Sequence, residues 1–115
     1  MKQQYQPSEH QIQTAILNVL PYYGVFAWRN NAGMIAVGEG RFRRMIKLGM
    51  TGLPDIIGVQ KESGRLVGIE VKRPSKKPTD AQKAMLEKLE EYGAIVSVMT
   101  SVDDVQKLFG KKEAV

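Results

Sequence analysis

The chain of 115 residues has no cysteine and a single histidine, His10. That scarcity removes disulfides, thiolate metal sites and cysteine nucleophiles together, and leaves no Ser-His-Asp or Cys-His arrangement to compete for the chemistry. Long apolar runs are also missing. None approaches the roughly 18 residues that a membrane-spanning helix needs, and the opening MKQQYQPSEH lacks the apolar stretch of a secretory signal. A reducing, cytoplasmic setting away from any membrane is expected. Negative charge is in short supply too: 12 Asp and Glu face 17 Lys and Arg, for a net charge of +5. This balance suits a polyanion, nucleic acid first, although many basic domains bind nothing specific. Gly38-Glu39-Gly40 lacks the later glycine and lysine of a phosphate loop, so no nucleotide cofactor is expected.

What is present is ordinary globular material, 43% apolar and 25% charged, in a length that suits one domain. There is no internal repeat, low-complexity tract or linker, so residues 1–115 read as one domain with a core over about 8–109 and a basic tail over 110–115. The positive excess is concentrated in Arg41, Arg43, Arg44 and Lys47, and again in Lys72, Arg73, Lys76 and Lys77.

Hydrophobic spacing supplies the elements. Ser8, with Gln11 three residues on, opens a helix whose Ile12, Ala15, Ile16, Val19 and Leu20 share one face until Pro21 ends it. Gly24 to Arg29 is rich in strand formers and ends in the turn signal Asn30-Asn31-Ala32-Gly33, with Phe26 and Trp28 expected in the core. Met34 to Val37 and residues 41–46 read either as a hairpin or as a partly ordered loop. Asp55-Ile56-Ile57-Gly58-Val59 and Leu66 to Lys72 read as the two strands of a β-hairpin around the polar turn Glu62-Ser63-Gly64. Thr79 and Gln82 open a second helix carrying Met85, Leu86 and Leu89, and Gly93 stops it. Residues 94–99 read as a buried strand, and Ser101 as the cap of a last helix that turns Val102, Val105, Leu108 and Phe109 inward. The order α-β-(β)-β-β-α-β-α predicts a mixed α/β domain.

Asp55, Glu70 and Lys72 conflict with the apolar strands around them, and charge in such strands is costly unless paired or bound to metal. Alternation puts Glu70 and Lys72 on one face with Gly68, which would leave that face open. If the two strands pair through the short turn, Asp55 joins the same sheet end. Two carboxylates beside one ammonium make a site for a hard cation, magnesium or manganese, able to lower the pKa of a bound water and stabilise charge on a phosphate oxygen.

Pro54-Asp55, fifteen residues before Glu70-Val71-Lys72, resembles the PD-(D/E)xK nuclease signature. Gly52-Leu53-Pro54-Asp55-Ile56 followed by Ile69-Glu70-Val71-Lys72 resembles its VRR-NUC (virus-type replication-repair nuclease) branch. Glu9 on the first helix, Arg29-Asn30-Asn31 and Gln82 occupy the remaining places of that pattern, which runs from about residue 8 to about 100. The resemblance implies a restriction-endonuclease-like core, a mixed central sheet flanked by helices, and magnesium-dependent cleavage of phosphodiester bonds in DNA. It implies that Asp55, Glu70 and the Val71 carbonyl hold metal, that Glu9 adds a ligand directly or through water, and that Lys72 positions or deprotonates the attacking water. Gln82 would orient that water or Lys72. Stand-alone members resemble Holliday-junction resolvases, which implies a homodimer acting on branched DNA in a bacterial or phage-infected cell.

Plainer readings stand beside these. Asp55 with Lys72 also fits an ion pair at a sheet edge, Glu9 suits the positive end of a helix dipole, and Gln82 serves as capping partner of Thr79. Arg29, Asn30, Arg41, Arg43, Arg44 and Lys76 are candidate DNA contacts, yet a charged hairpin edge carries the same pattern. A basic DNA-binding or assembly module with the same fold, or an RNA-directed nuclease, are the competing functions.

Overall fold

The computed structural model describes residues 5–30, 34–47 and 50–110. Asn31 of the expected turn and residues 111–115 of the expected tail lie outside the described residues, as does the side chain of Lys47.

Helix α1 (Glu9–Val19) starts at a reciprocal cap: the Gln11 N–H donates to Ser8 Oγ at 3.1 Å and the Ser8 N–H donates to Gln11 Oε1 at 2.8 Å. Ile12, Ile16 and Leu20, spaced one turn apart, are buried. Each such side chain contributes roughly 1.5–3 kcal/mol. Pro21 turns the chain into a 3-10 turn over Leu20–Tyr23, and Gly24 reverses it at φ 75° into β1 (Val25–Arg29). Strands β2 (Met34–Val37) and β3 (Arg44–Lys47) pair only with each other, around a 3-10 turn at Gly40–Phe42. The ambiguous segment is therefore a two-stranded ribbon, and its described side chains are exposed apart from the half-buried Val37.

Strands β4 (Ile56–Gln60) and β5 (Leu66–Val71), helix α2 (Asp80–Glu91), strand β6 (Ile95–Met99) and helix α3 (Asp103–Phe109) complete the chain. The main sheet runs β1-β4-β5-β6, antiparallel except for the parallel β5–β6 pair that α2 connects. Its two faces are covered unequally. Val25, Ile56, Val67, Ile69, Val71 and Met99 pack with Ile12, Ile16 and Leu20 below α1 and with Val105 and Phe109 of α3. The opposite face meets α2, which packs chiefly on β6 and β5. No helix among the described residues is long and apolar enough to cross a membrane.

Four expectations need correction. The strand at residues 94–99 is not buried throughout: at the edge of the sheet it buries Ala94 and Met99 and leaves Val98 39% exposed. The face at Gly68 is not open: a Cβ there would meet Pro54 Cγ at 3.1 Å and Leu89 Cδ1 at 3.6 Å. Phe26 and Trp28 are 75% and 45% exposed, because they share the α2 face and α2 stops short of β1. The final helix is not capped by the Ser101 side chain. Asp104 reaches back instead, its Oδ2 accepting from the Thr100 N–H at 2.9 Å and the Ser101 N–H at 3.3 Å. A helix of seven residues buries only Val105 and Phe109, one turn apart, and leaves Val102 and Leu108 partly exposed.

Candidate active site

Register brings the acidic residues together. Arg29 pairs with Ile56, and Ile56 with Ile69. One step further along, Asn30, Asp55 and Glu70 fall in a row across three strands, and the Asn30 N–H donates to the Asp55 carbonyl at 2.7 Å. The Asn30 side chain adds a second fastening, Nδ2 donating to the Pro54 carbonyl at 3.2 Å. On the other side Gly52, at φ 83°, passes so close to α2 that a Cβ would lie 2.6 Å from the Ala81 carbonyl oxygen. Glycine is what lets the 51–55 segment run between β1 and the start of α2.

Since β4 ends at Ile56, the N–H of Val71 has no strand partner on that side, and Asp55 Oδ2 accepts it at 2.8 Å. An extended residue points its N–H and C=O the same way, so the Val71 carbonyl also faces the Asp55 side. The next residue alternates: the Lys72 N–H donates to Met99 O at 3.0 Å, toward β6.

Glu70 is 1% exposed. Its Oε2 accepts from Gln82 Nε2 at 2.9 Å and faces Lys72 Nζ at 3.7 Å, while its buried Oε1 has no hydrogen-bond partner among the described residues. Burial and then the neighbouring Asp55 carboxyl push the Glu70 carboxyl up to about 8; the charge of Glu9 adds to the rise and Lys72 opposes it. Two ionised carboxylates cannot donate to each other, so the pair needs either a proton or a cation between them.

The donor set fits the cation. Both carboxyls are hard oxygen ligands, and Oε1 of Glu70 is desolvated with nothing to bind. Among the described residues no three His, Cys, Asp or Glu side chains converge as a metal cage. Glu9, half-buried in the first turn of α1, is felt electrostatically at Glu70 without joining such a cage.

Gln82 serves two ends at once. Its Oε1 accepts from the Thr79 N–H at 2.9 Å, completing the cap of α2, and its Nε2 holds Glu70. The capping reading of this residue describes one end of the amide, and the other end meets Glu70. Arg29 is turned the other way, Nε donating to Gln13 Oε1 at 2.8 Å and Nη2 to Thr14 Oγ1 at 3.0 Å on α1. Arg41, Arg43, Arg44 and Lys76 are exposed, Arg41 lying 5.2 Å over the Phe42 ring. Arg73 reaches Gln6 Oε1 through Nη2 at 3.0 Å, and its Nε is buried without a partner. Sequence reasoning missed the latching role of Asn30 and the place of Trp28 beside the acidic row. Parity along β1 puts Trp28 and Asn30 on one face, but nothing in the sequence tells which face lacks a helix.

The VRR-NUC domain family matches this chain over residues 7–103. Among solved structures, one described as a VRR_NUC domain superposes with a TM-score of 0.61 at 23% identity, covering 87% of this chain and 91% of that one. That likeness carries the fold. Among curated protein sequences nothing matches.

Proposed function

The chain belongs to the VRR-NUC domain family, a family of nuclease-type domains, and from that premise we propose a magnesium- or manganese-dependent endodeoxyribonuclease selective for branched DNA. The observation that carries this reading is the acidic row itself: a half-buried Asp55 beside the buried Glu70, Oε1 of Glu70 without a partner among the described residues, and Lys72 alongside. A protein that only bound DNA would gain nothing from two carboxylates facing its phosphates.

Asp55, Glu70 and the Val71 carbonyl would hold the ion, with Glu9 adding a water-mediated contact. A bound divalent cation supplies Lewis acidity to the phosphate and lowers the pKa of a bound water. Lys72 positions the attacking water and balances the negative charge that builds on the phosphoryl oxygens. Gln82 keeps Glu70 Oε2 occupied, so that the other oxygen, Oε1, is the one presented. The exposed cations of the ribbon and Lys76 hold flanking phosphates. Selectivity for junctions, a two-fold homodimer and action in the cytoplasm of a bacterial or phage-infected cell are supported by the resemblance to stand-alone resolvase-like members.

A cleavage panel tests this: labelled four-way junction, flap, single-stranded and duplex DNA, with magnesium, manganese or neither. Metal-dependent cutting with branched substrates preferred is expected, and Asp55→Asn should abolish it with the fold and DNA affinity retained. Equal cutting without metal, or none at all, overturns the reading. Light scattering should show twice the chain mass; a monomer with and without DNA would sink the resolvase-like assembly.

A further inference from the structure

Trp28 and Phe26 occupy the face that carries Asp55 and Glu70, and they are exposed, with no helix packed over them among the described residues. Pairing of Trp28 with Ile57 and of Ile57 with Gly68 places the indole in the row directly behind Asn30, Asp55 and Glu70. Trp28 and Asp55 are thus diagonal neighbours, whose Cα atoms lie about 7–8 Å apart in an antiparallel pair, within reach of an aromatic side chain. Phe26 follows one step further, its ring 5.7 Å from the indole and tilted by 55°. Beyond it a shallow cleft of about 450 Å³ is lined by Val25, Phe26, Val59 and Lys61, so the strip ends on a cation. From Phe26 to Asn30 a strand rises about 13 Å, a span of two to three nucleotides.

We propose that Trp28 and Phe26 form a stacking platform for unpaired nucleobases next to the scissile phosphate, with Lys61 holding a phosphate at the far end. The proposal rests on the nuclease reading and deepens it. Aromatic rings exposed in water are a standing cost that a stacked base removes, and every base offers a π-face, so the platform accepts any sequence but demands an unstacked strand. A second copy of this chain fits less well, since seating it on Trp28 would bury the row where substrate must enter. Splayed nucleotides are what a junction or a flap provides and intact duplex does not.

Trp28 is the only tryptophan, so its emission reports on this ring alone. A short oligo(dT) and an abasic strand of the same length are titrated into the protein in calcium. Oligo(dT) should quench Trp28 and bind about tenfold tighter than the abasic strand, the scale of one lost stacking contact. Trp28→Ala should erase that margin and Trp28→Phe restore most of it, which a variant that merely unfolds would not do. Abasic and oligo(dT) strands binding alike, with Trp28 emission unmoved, in protein that does cut DNA, overturns the platform and leaves the nuclease reading standing. Absence of cutting on every substrate sinks the nuclease reading, and the stacking measurement is read independently of it. A concentration-dependent emission shift, with a dimer that Trp28→Ala dissociates, assigns the face to a second copy and also overturns the proposal.

Discussion

Glu70 is the residue on which stability and chemistry pull in opposite directions. A carboxyl whose pKa rises from 4.5 unfolded to about 8 folded binds a proton more tightly in the folded state. Its contribution to stability is therefore complete below about 4.5 and is lost as pH climbs through about 8. Metal-free protein should lose thermal stability between pH 5 and 8, and scanning calorimetry across that window checks it. Glu70→Gln should flatten the curve, because a Gln oxygen can still accept from Gln82 and Lys72 while its amide donates to Asp55. The variant should be the more stable protein at pH 8 by something on the order of 1 kcal/mol or more, and inactive as a nuclease. A Glu70→Gln protein with unchanged pH dependence would remove the buried acid from the account. Lys72 is separable from the other cations by kinetics. Lys72→Ala should cut the single-turnover rate by a factor on the order of a hundred with DNA saturating. Arg43→Ala or Lys76→Ala should instead weaken binding to every substrate and lower the salt slope by about one, with full rate recovered at high protein concentration.

At the level of elements, the start of α2 and the 51–55 segment carry the site, and each has a substitution that isolates it. Gln82→Glu keeps an oxygen for the Thr79 N–H but sets a third negative charge against Glu70, so melting should fall less than in Gln82→Ala while cleavage falls; a loss of stability equal to that of Gln82→Ala would show that the cap adds nothing. Gly52→Ala combines a positive φ with a Cβ 2.6 Å from the Ala81 carbonyl, and should cost about 1–3 kcal/mol by denaturant titration. The helices were legible because capping and apolar spacing are local: Ser8 with Gln11, and Thr79 with Gln82, stand in the structure as the spacing predicts. The Asp55-to-Lys72 segment was equally legible, since charge inside an apolar strand is visible without tertiary information. The cap of α3 was legible only in part: Ser101-x-x-Asp104 has capping-box spacing and Asp104 does bond back to the Ser101 N–H, but the Ser101 side chain does not cap the helix. The exposure of Phe26 and Trp28 was hidden for a different reason: burial of a strand face depends on where a distant helix lands, and α2 lands on β5 and β6.

For the whole molecule, the decisive feature is that one face of the sheet is covered end to end and the other only by half. The covered face supplies the packed core. The half-covered face holds the acidic row at the border between α2 and the open strands, so Glu70 is dry while the ground beside Asp55 stays accessible. Much of this depends on sheet order, which composition and periodicity do not encode: β1 joins β4 across the intervening ribbon, and that pairing lets Asn30 grip the Pro54-Asp55 backbone. The same connectivity sets a timetable for folding. Asp55 and Glu70 meet through the short turn between β4 and β5, a local closure of the kind that forms in microseconds, whereas β6 must wait for the α2 crossover and α1 for the finished sheet. We expect pulsed hydrogen exchange during refolding to protect the amides of Gly58 and Val71 before that of Ile16; protection in the reverse order would refute the timetable. On that schedule a partly folded chain already carries its acids side by side, but lacks the amide of Gln82 that aims them and the helix that brings Glu9, so the fold acts as its own safety catch.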